Sequence, residues 1–193
     1  MSEYLAHFNV RYQGNSDPWV YQTSACERQK DDATLAALTR SHYTCAIEAG
    51  CSIGVLSARL APRCDRLFAL DLSARAVGIA RDRLRPYPGV AVLQALLPDD
   101  WVKGDYDLFL MSEIIYYLSR PDIVTLAEQV AQDARPGAEC VIVQYQGDTQ
   151  TPVMPDEARA IFCDRLAGLR RVTWTDHPTP GDYNHRTVMF ATD

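Results

Sequence analysis

The sequence predicts an α/β fold: a Rossmann-like, mostly parallel seven-stranded sheet with helices on both faces and an antiparallel C-terminal hairpin. Three observations carry this expectation. Short apolar runs of strand length alternate with helix-length segments from Tyr43 to Val143, the order that builds βαβ units. A glycine-bearing turn, Gly50 to Gly54, sits between the first strand and its helix. The ending differs, because a helix is followed by two strand-like runs joined only by Pro178-Thr179-Pro180-Gly181. The 193 residues are expected to form one domain, 1–193, in which 1–40 make an N-terminal cap and helix region.

Each element has a local reason. The segment up to about Trp19 is polar and aromatic and contains the turn-like Gly14-Asn15-Ser16-Asp17-Pro18. Thr23 or Ser24 caps a helix running through Glu27, Lys30, Leu35 and Leu38. Tyr43 to Glu48 is the first strand. After the glycine turn, Val55, Leu56, Leu60 and Ala61 share one face of a helix that Pro62 stops. Leu67 to Asp71 is a buried parallel strand ending in a carboxylate, and Ser73 caps a helix from Ala74 to about Leu84. Val90–Leu93 and Tyr106–Met111 are the third and fourth strands. A helix from Pro121 to about Ala134 turns through Arg135-Pro136-Gly137 into the strand Cys140–Val143. A last helix spans about Pro155 to Ala167, ahead of strands near 171–175 and 186–191.

Bulk composition excludes several classes. Hydrophobic residues at 47% and charged residues at 23% describe a globular chain rather than a disordered one. The net charge of −6 leaves no broad basic surface for a phosphate backbone, so no nucleic-acid partner is expected. The same acidity suits a cationic small molecule such as an amine. No apolar run approaches the roughly 20 residues that span a bilayer, and the first residues lack a signal peptide's basic start and apolar core. A cytoplasmic protein without a membrane partner is expected. The six cysteines form no CxxC pair and read as reduced, and the four histidines show no metal-ligand spacing, so no metal is expected. Nothing in the sequence sets an oligomeric state.

The chemistry is concentrated at strand ends. In Glu48-Ala49-Gly50-Cys51-Ser52-Ile53-Gly54, Gly50 and Gly54 lack β-carbons, so a ligand's backbone can approach. Enzymes that use S-adenosylmethionine rest its methionine end on such a turn, with an acid where Glu48 stands to meet the cationic amino group. Serine replaces the middle glycine of the ExGxGxG pattern at Ser52, which argues against a dinucleotide pyrophosphate. Asp71, followed by Leu72, closes the second strand and is placed to accept both ribose hydroxyls. Past the fourth strand, Met111-Ser112-Glu113 is expected at the carboxyl ends of the sheet, where such folds bind ligands.

These residues resemble the NodS-like group of class I methyltransferases. The resemblance is carried by Asp17-Pro18-Trp19, Tyr21 to Ser24, Glu27 to Lys30, Glu48 to Gly54, Leu60 to Asp65, Leu97 to Trp101 and Ser112-Glu113-Ile114-Ile115-Tyr116-Tyr117-Leu118, and covers roughly Asp17 to Val143. It implies a class I methyltransferase domain using S-adenosyl-L-methionine as cofactor, held by Glu48, Gly50, Cys51, Ser52, Gly54, Asp71 and Leu72. Ala95, Leu96 and Leu97 would flank the adenine, and Met111 and Ser112 would lie beside the sulfonium. It also implies N-methylation of an amino sugar or similar amine. Glu113 is the candidate catalytic carboxylate, either taking a proton from an ammonium or holding the amine by charge; the other reading has it capping a helix. Tyr116 and Tyr117 either contact the acceptor or serve as packing. Trp19 and Tyr21 either fold over the site or form a packed strap. Arg28 and Lys30 either meet the cofactor carboxylate or are solvated helix charges. Two other functions compete: O-methylation of a natural-product acceptor, and a non-catalytic or NAD-binding Rossmann module, against which Glu48, Ser52 and the terminal helix-strand-strand order argue.

Overall fold

The computed structural model describes residues 3–145, 147, 149, 151–166, 171–178 and 184–191, the last two stretches by their backbone. Five strands run parallel: β1 (Tyr43–Ala49), β2 (Cys64–Asp71), β3 (Val90–Gln94), β4 (Tyr106–Ser112) and β5 (Ala134–Tyr145), in the order β3-β2-β1-β4-β5. β6 (Arg171–Pro178) and β7 (Asn184–Ala191) extend the backbone pairing, β7 antiparallel to β5 and β6 antiparallel to β7. The turn expected through Thr179, Pro180 and Gly181 lies outside the described residues.

Six helices accompany these strands among the described residues: α1 (Glu3–Gly14), α2 (Ala25–Ala37), α3 (Val55–Leu60), α4 (Ala74–Leu84), α5 (Arg120–Asp133) and α6 (Pro155–Arg165). Period-two alternation sends neighbouring strand residues to opposite faces. Phe109 and Met111 of β4 join Ile47 of β1 under Leu126 and Val130 of α5 and Phe162 of α6. Leu108 and Leu110, one residue out of step, pack with Leu56 and Leu60 of α3. Ala69 of β2 and Val92 of β3 pack with Val77 and Ala80 of α4. Both faces are covered, which is why β4 is almost wholly buried and shows no polar alternation. Three of the helices, α2, α4 and α5, begin on serines: Ser24 accepts from Glu27 N, Ser73 from Ala76 N and Ser119 from Asp122 N. Each cap satisfies an otherwise orphaned N–H and is worth ~1 kcal/mol.

Three boundaries differ from expectation. The opening segment is helical, as α1, with Phe8 and Tyr12 one turn apart and Tyr12 buried against Ile53 and Ala76. α3 ends at Leu60, and Pro62 lies inside a following 3-10 turn, Ala61–Arg63, rather than stopping the helix itself. β5 starts at Ala134, six residues before Cys140, because a bulge against β4 absorbs Pro136 and Gly137, the latter at φ +75°. No described helix is long and apolar enough to cross a membrane.

Candidate functional site

β1 lies between β2 and β4, so the chain leaves the sheet centre in two directions and a crevice opens at the carboxyl ends of β1 and β4. A cavity of about 820 Å³ occupies this place. Its floor is the turn after β1. Gly50 N and Cys51 N both donate to Leu70 O at 2.9 Å, drawing the turn across the end of β2. Gly50 has φ +85°, and a β-carbon there would collide with the Ile114 side chain and the Ser112 carbonyl oxygen. Glycine therefore lets the segment after β4 close against the turn.

Ser52 adopts φ +50°, a left-handed conformation uncommon for a serine. Its N–H donates to Asp71 Oδ2 at 2.8 Å, and its hydroxyl lies 2.5 Å from the Tyr12 hydroxyl. Ser73 N–H donates to Asp71 Oδ1, also at 2.8 Å. Each oxygen of Asp71 is thus oriented by one backbone N–H at the cavity wall. Burial pushes the Asp71 carboxyl pKa up, opposed by these two hydrogen bonds. Leu72, Ala95, Leu96 and Leu97 continue the wall as an apolar shelf, tied to β2 by Ala95 N donating to Asp71 O at 2.9 Å.

On the β4 side stands Glu113, another left-handed residue, at φ +57°. Its N–H donates to Val143 O at 2.8 Å, fixing the turn to β5. Its Oε2 accepts from the Tyr116 hydroxyl at 2.6 Å and from Tyr145 N–H at 2.8 Å. Lys30 of α2 reaches Glu113 Oε1 at 3.5 Å and Glu27 Oε2 at 2.6 Å. Lys30 is only 5% exposed. Burial alone would lower its pKa, but the Glu113 and Glu27 charges outweigh it and the shift is upward, so it remains an ammonium. The Tyr116 phenol is pushed far up by burial and then by the Glu113 charge, so it acts as a neutral donor.

Aromatic rings from α1 and the following turn complete the wall. Asp17 accepts from Tyr21 N–H at 2.8 Å and Gln22 N–H at 3.0 Å, bending the segment that presents Trp19 and Tyr21. Trp19 packs on Tyr12, centroids 5.4 Å apart, and Phe8 meets the edge of Tyr117 at 5.0 Å. The N-terminal region therefore touches both the Ser52 turn, through Tyr12, and the segment after β4, through Phe8.

The structure brings thirteen of the expected site residues to this cavity: Gly50, Ser52, Asp71, Leu72, Ala95, Leu96 and Leu97; Ser112, Glu113, Tyr116 and Tyr117; and Trp19 and Tyr21. Four others lie elsewhere. Glu48 and Cys51 line a small adjoining pocket of about 20 Å³ behind the turn, together with Lys30 and Asp31; it shares Tyr21, Lys30, Gly50, Ser52 and Ser112 with the cavity. Glu48 points towards α3, accepts from the Ser57 hydroxyl at 2.6 Å, and has its pKa pushed by burial to about 7. Met111 is fully buried in the core under α5, because β4 alternation turns it away from the cavity. Gly54 packs against Ala80 and Leu84 of α4, with a would-be β-carbon 3.1 Å from the Ala80 methyl.

Lys30 corrects the solvated-charge reading: it is buried and lines both pockets. Glu27, Tyr12 and Tyr145, none of them expected in the site from the sequence, also belong to the wall. The Glu27–Lys30 spacing of three was a legible helical pair, whereas contacts across 83 residues with Glu113 carry no local signal. Trp101 donates to Asp133 at 2.8 Å and so anchors its loop. Among the described residues, no group of three or more His, Cys, Asp or Glu side chains is arranged to hold a metal ion.

Known proteins resemble this chain in sequence and in fold. A family profile described as Nodulation protein S (NodS) matches residues 9–135. Nodulation protein S of Sinorhizobium fredii is 29% identical over 113 residues, covering 58% of this chain and 52% of that protein. The match spans about half the length of these curated relatives. The solved structure of N-methyltransferase NodS from Bradyrhizobium japonicum WM9, in complex with S-adenosyl-L-homocysteine, is similar with a TM-score of 0.83 over 97% of this chain and 98% of that one, at 22% identity. A candidate methyltransferase from Pseudomonas syringae is 32% identical, with a TM-score of 0.67 over 86% and 97% of the two chains. The fold is thus an α/β methyltransferase fold on five parallel strands.

Proposed function

This chain belongs to the nodulation protein S (NodS) family, and we propose that it is an S-adenosylmethionine-dependent methyltransferase that N-methylates a small amine, an amino sugar foremost. The observation that carries the reading is the cavity itself, with an oriented Asp71 carboxylate on its β2 side and an oriented Glu113 carboxylate on its β4 side. The S-adenosyl-L-homocysteine held by the Bradyrhizobium japonicum WM9 protein supports the choice of donor.

The residues present fit that donor. Asp71 keeps lone pairs on both oxygens beyond those used by Ser52 and Ser73, enough to accept two ribose hydroxyls. The shelf Ala95–Leu97 suits an adenine face, and the Gly50–Ser52 turn allows close backbone approach, with Glu48 and Cys51 behind it. Three acidic side chains, Glu27, Asp71 and Glu113, line the cavity against two basic ones, Arg11 and Lys30, an excess of negative charge that favours a sulfonium and an amine.

When bound, S-adenosylmethionine supplies a sulfonium methyl group: an amine nitrogen forms the new C–N bond as the C–S bond breaks. The chain's part is alignment, which supplies ~7–11 kcal/mol in well-oriented reactions. Glu113 holds the protonated amine by charge and takes its proton, leaving the neutral nitrogen whose lone pair attacks. Tyr116 and Tyr145 N–H, both on Oε2, keep that carboxylate in one orientation. Tyr117, next to Tyr116, shapes the acceptor side. Trp19 and Tyr21 exclude water from the reacting groups. The whole chain, 1–193, acts as a single domain, its hairpin completing a seven-stranded sheet. It works in the cytoplasm, a setting that suits the thiols of its cysteines.

The test is an acceptor screen with isotopically labelled methyl donor over amino sugars, simple amines and phenols. Label on an amino-sugar nitrogen is the expected result. Label only on phenols would replace the reading with O-methylation. Thermal stabilisation by NAD and not by S-adenosylmethionine would overturn the donor assignment.

A further inference from the structure

We infer that Lys30 is a positioning residue of the acceptor site: it holds the Glu113 carboxylate charged and in place, and joins α2 to the segment after β4. This rests on the methyl-transfer reading above. Lys30 sits one turn after Glu27 on α2, so both side chains leave the helix on one face. From there its ammonium spans to Glu113, 83 residues away, which the chain delivers in a left-handed turn at the end of β4.

A buried lysine needs a reason. Removing an ammonium from water is costly, and apolar residues of similar size often stabilise a fold as well as a buried ion pair does. Here the cation stands at the wall of both pockets, between the two carboxylates that face it. The surroundings of Glu113 sharpen its role. From α2 come Lys30 and Glu27, and from the turn before α2 the Tyr21 ring, which Lys30 overlies at 5.4 Å. After β4 come Tyr116 and the adjacent Tyr117, and from the end of β5 the Tyr145 N–H. Burial keeps Tyr21 and Tyr116 neutral. Lys30 is thus the positive charge that Glu113 meets from α2, and without it Glu27 and Glu113 face one another as like charges. Glu113 would then bind a proton at higher pH and lose its hold on a cationic amine.

The full chain is compared as wild type, Lys30→Met, Lys30→Arg and Glu27→Gln. Glu113 is titrated by carbon NMR of labelled glutamate, its signal assigned by its loss in Glu113→Gln, with no acceptor present. Lys30→Met should raise the Glu113 midpoint by about one pH unit or more, which is tenfold in proton affinity, and Lys30→Arg should restore most of it. Glu27→Gln should lower the midpoint, so the inference stays testable if Lys30→Met does not fold. The acid limb of kcat/KM for an amine acceptor should move with the midpoint, while donor affinity by calorimetry stays within about threefold. An unmoved Glu113 midpoint in folded Lys30→Met overturns the inference, as does a loss confined to donor affinity, which would make Lys30 a donor ligand. Because the titration needs no turnover, it judges Lys30 even if no amine is methylated, an outcome that would count against the methyl-transfer reading alone.

Discussion

Gly50→Ala is a single-methyl change whose cost can be worked from the structure. The added β-carbon would meet the Ser112 carbonyl oxygen and the Ile114 side chain well inside van der Waals contact. The first of these is backbone and cannot rotate away. A non-glycine residue at φ +85° adds ~1–2 kcal/mol of conformational strain, and forcing a methyl into a packed site adds ~1–3 kcal/mol. A total of roughly 3 kcal/mol should lower Tm by about 6–12 °C in a chain of this size. The displaced segment carries Glu113, so methyl transfer should fall as well. Gly78→Ala is the matched control: it lies in α4, and nothing stands within 4 Å of its would-be β-carbon. Gly78→Ala should therefore raise stability by ~0.5–1 kcal/mol. Thermal melts followed by circular dichroism measure both variants, and calorimetry measures donor binding. Equal melting points for Gly50→Ala and wild type, with unchanged donor affinity, would refute the claim that close approach of the β4 segment requires glycine here.

Other perturbations separate the two sides of the cavity. Asp71→Ala should weaken S-adenosylmethionine binding by ~1.5–3 kcal/mol for each ribose hydrogen bond lost; unchanged affinity in a folded variant would remove Asp71 from the donor site. Glu113→Gln preserves size but not charge and should slow turnover ~10²–10⁴-fold with little change in donor affinity, so full activity would leave positioning alone as the mechanism. Burial raises the Glu48 pKa to about 7 from its ordinary 4.5. The folded chain therefore holds more protons than the unfolded chain between those values, and stability falls as pH rises through that window. Glu48→Gln keeps an acceptor for Ser57 and should remove this part of the slope, gaining up to roughly 3 kcal/mol over wild type at pH 8. Melting curves at pH 5 and 8 test it, and an identical slope in the variant would sink the assignment.

Much of the architecture was legible because its signals are local. The helix Ala74–Leu84 has its cap at Ser73 and its apolar face within eleven residues. Gly50 declares a turn, and Asp71 ends an apolar run, so both could be put at strand ends before any contact was known. α1 is not legible in the same way: Phe8 and Tyr12 have helical spacing, but the polar surroundings and the turn signal at Gly14 dominate that stretch. The bulge at Pro136 and Gly137 depends on how β5 pairs with β4, and no spacing within β5 reports that.

The sequence by itself determined the alternation of strands and helices from α2 to β5, the turn that carries Gly50 and the chemical character of Asp71 and Glu113. Tertiary structure decided which side chains face the cavity. Ser112 lines it and Met111, one residue earlier, is core, because alternation along β4 sends them to opposite faces; a strand covered on both faces carries no polar alternation in its sequence to report which is which. Glu48, expected beside the ligand, is turned to Ser57 because alternation along β1 puts it, with Ala46, on the α3 face. Lys30 acquires its meaning only when α2 is laid beside the end of β4. Burial and charge pairing between distant segments belong to the packed chain as a whole, whereas caps, turns and periodicity are written within a few residues.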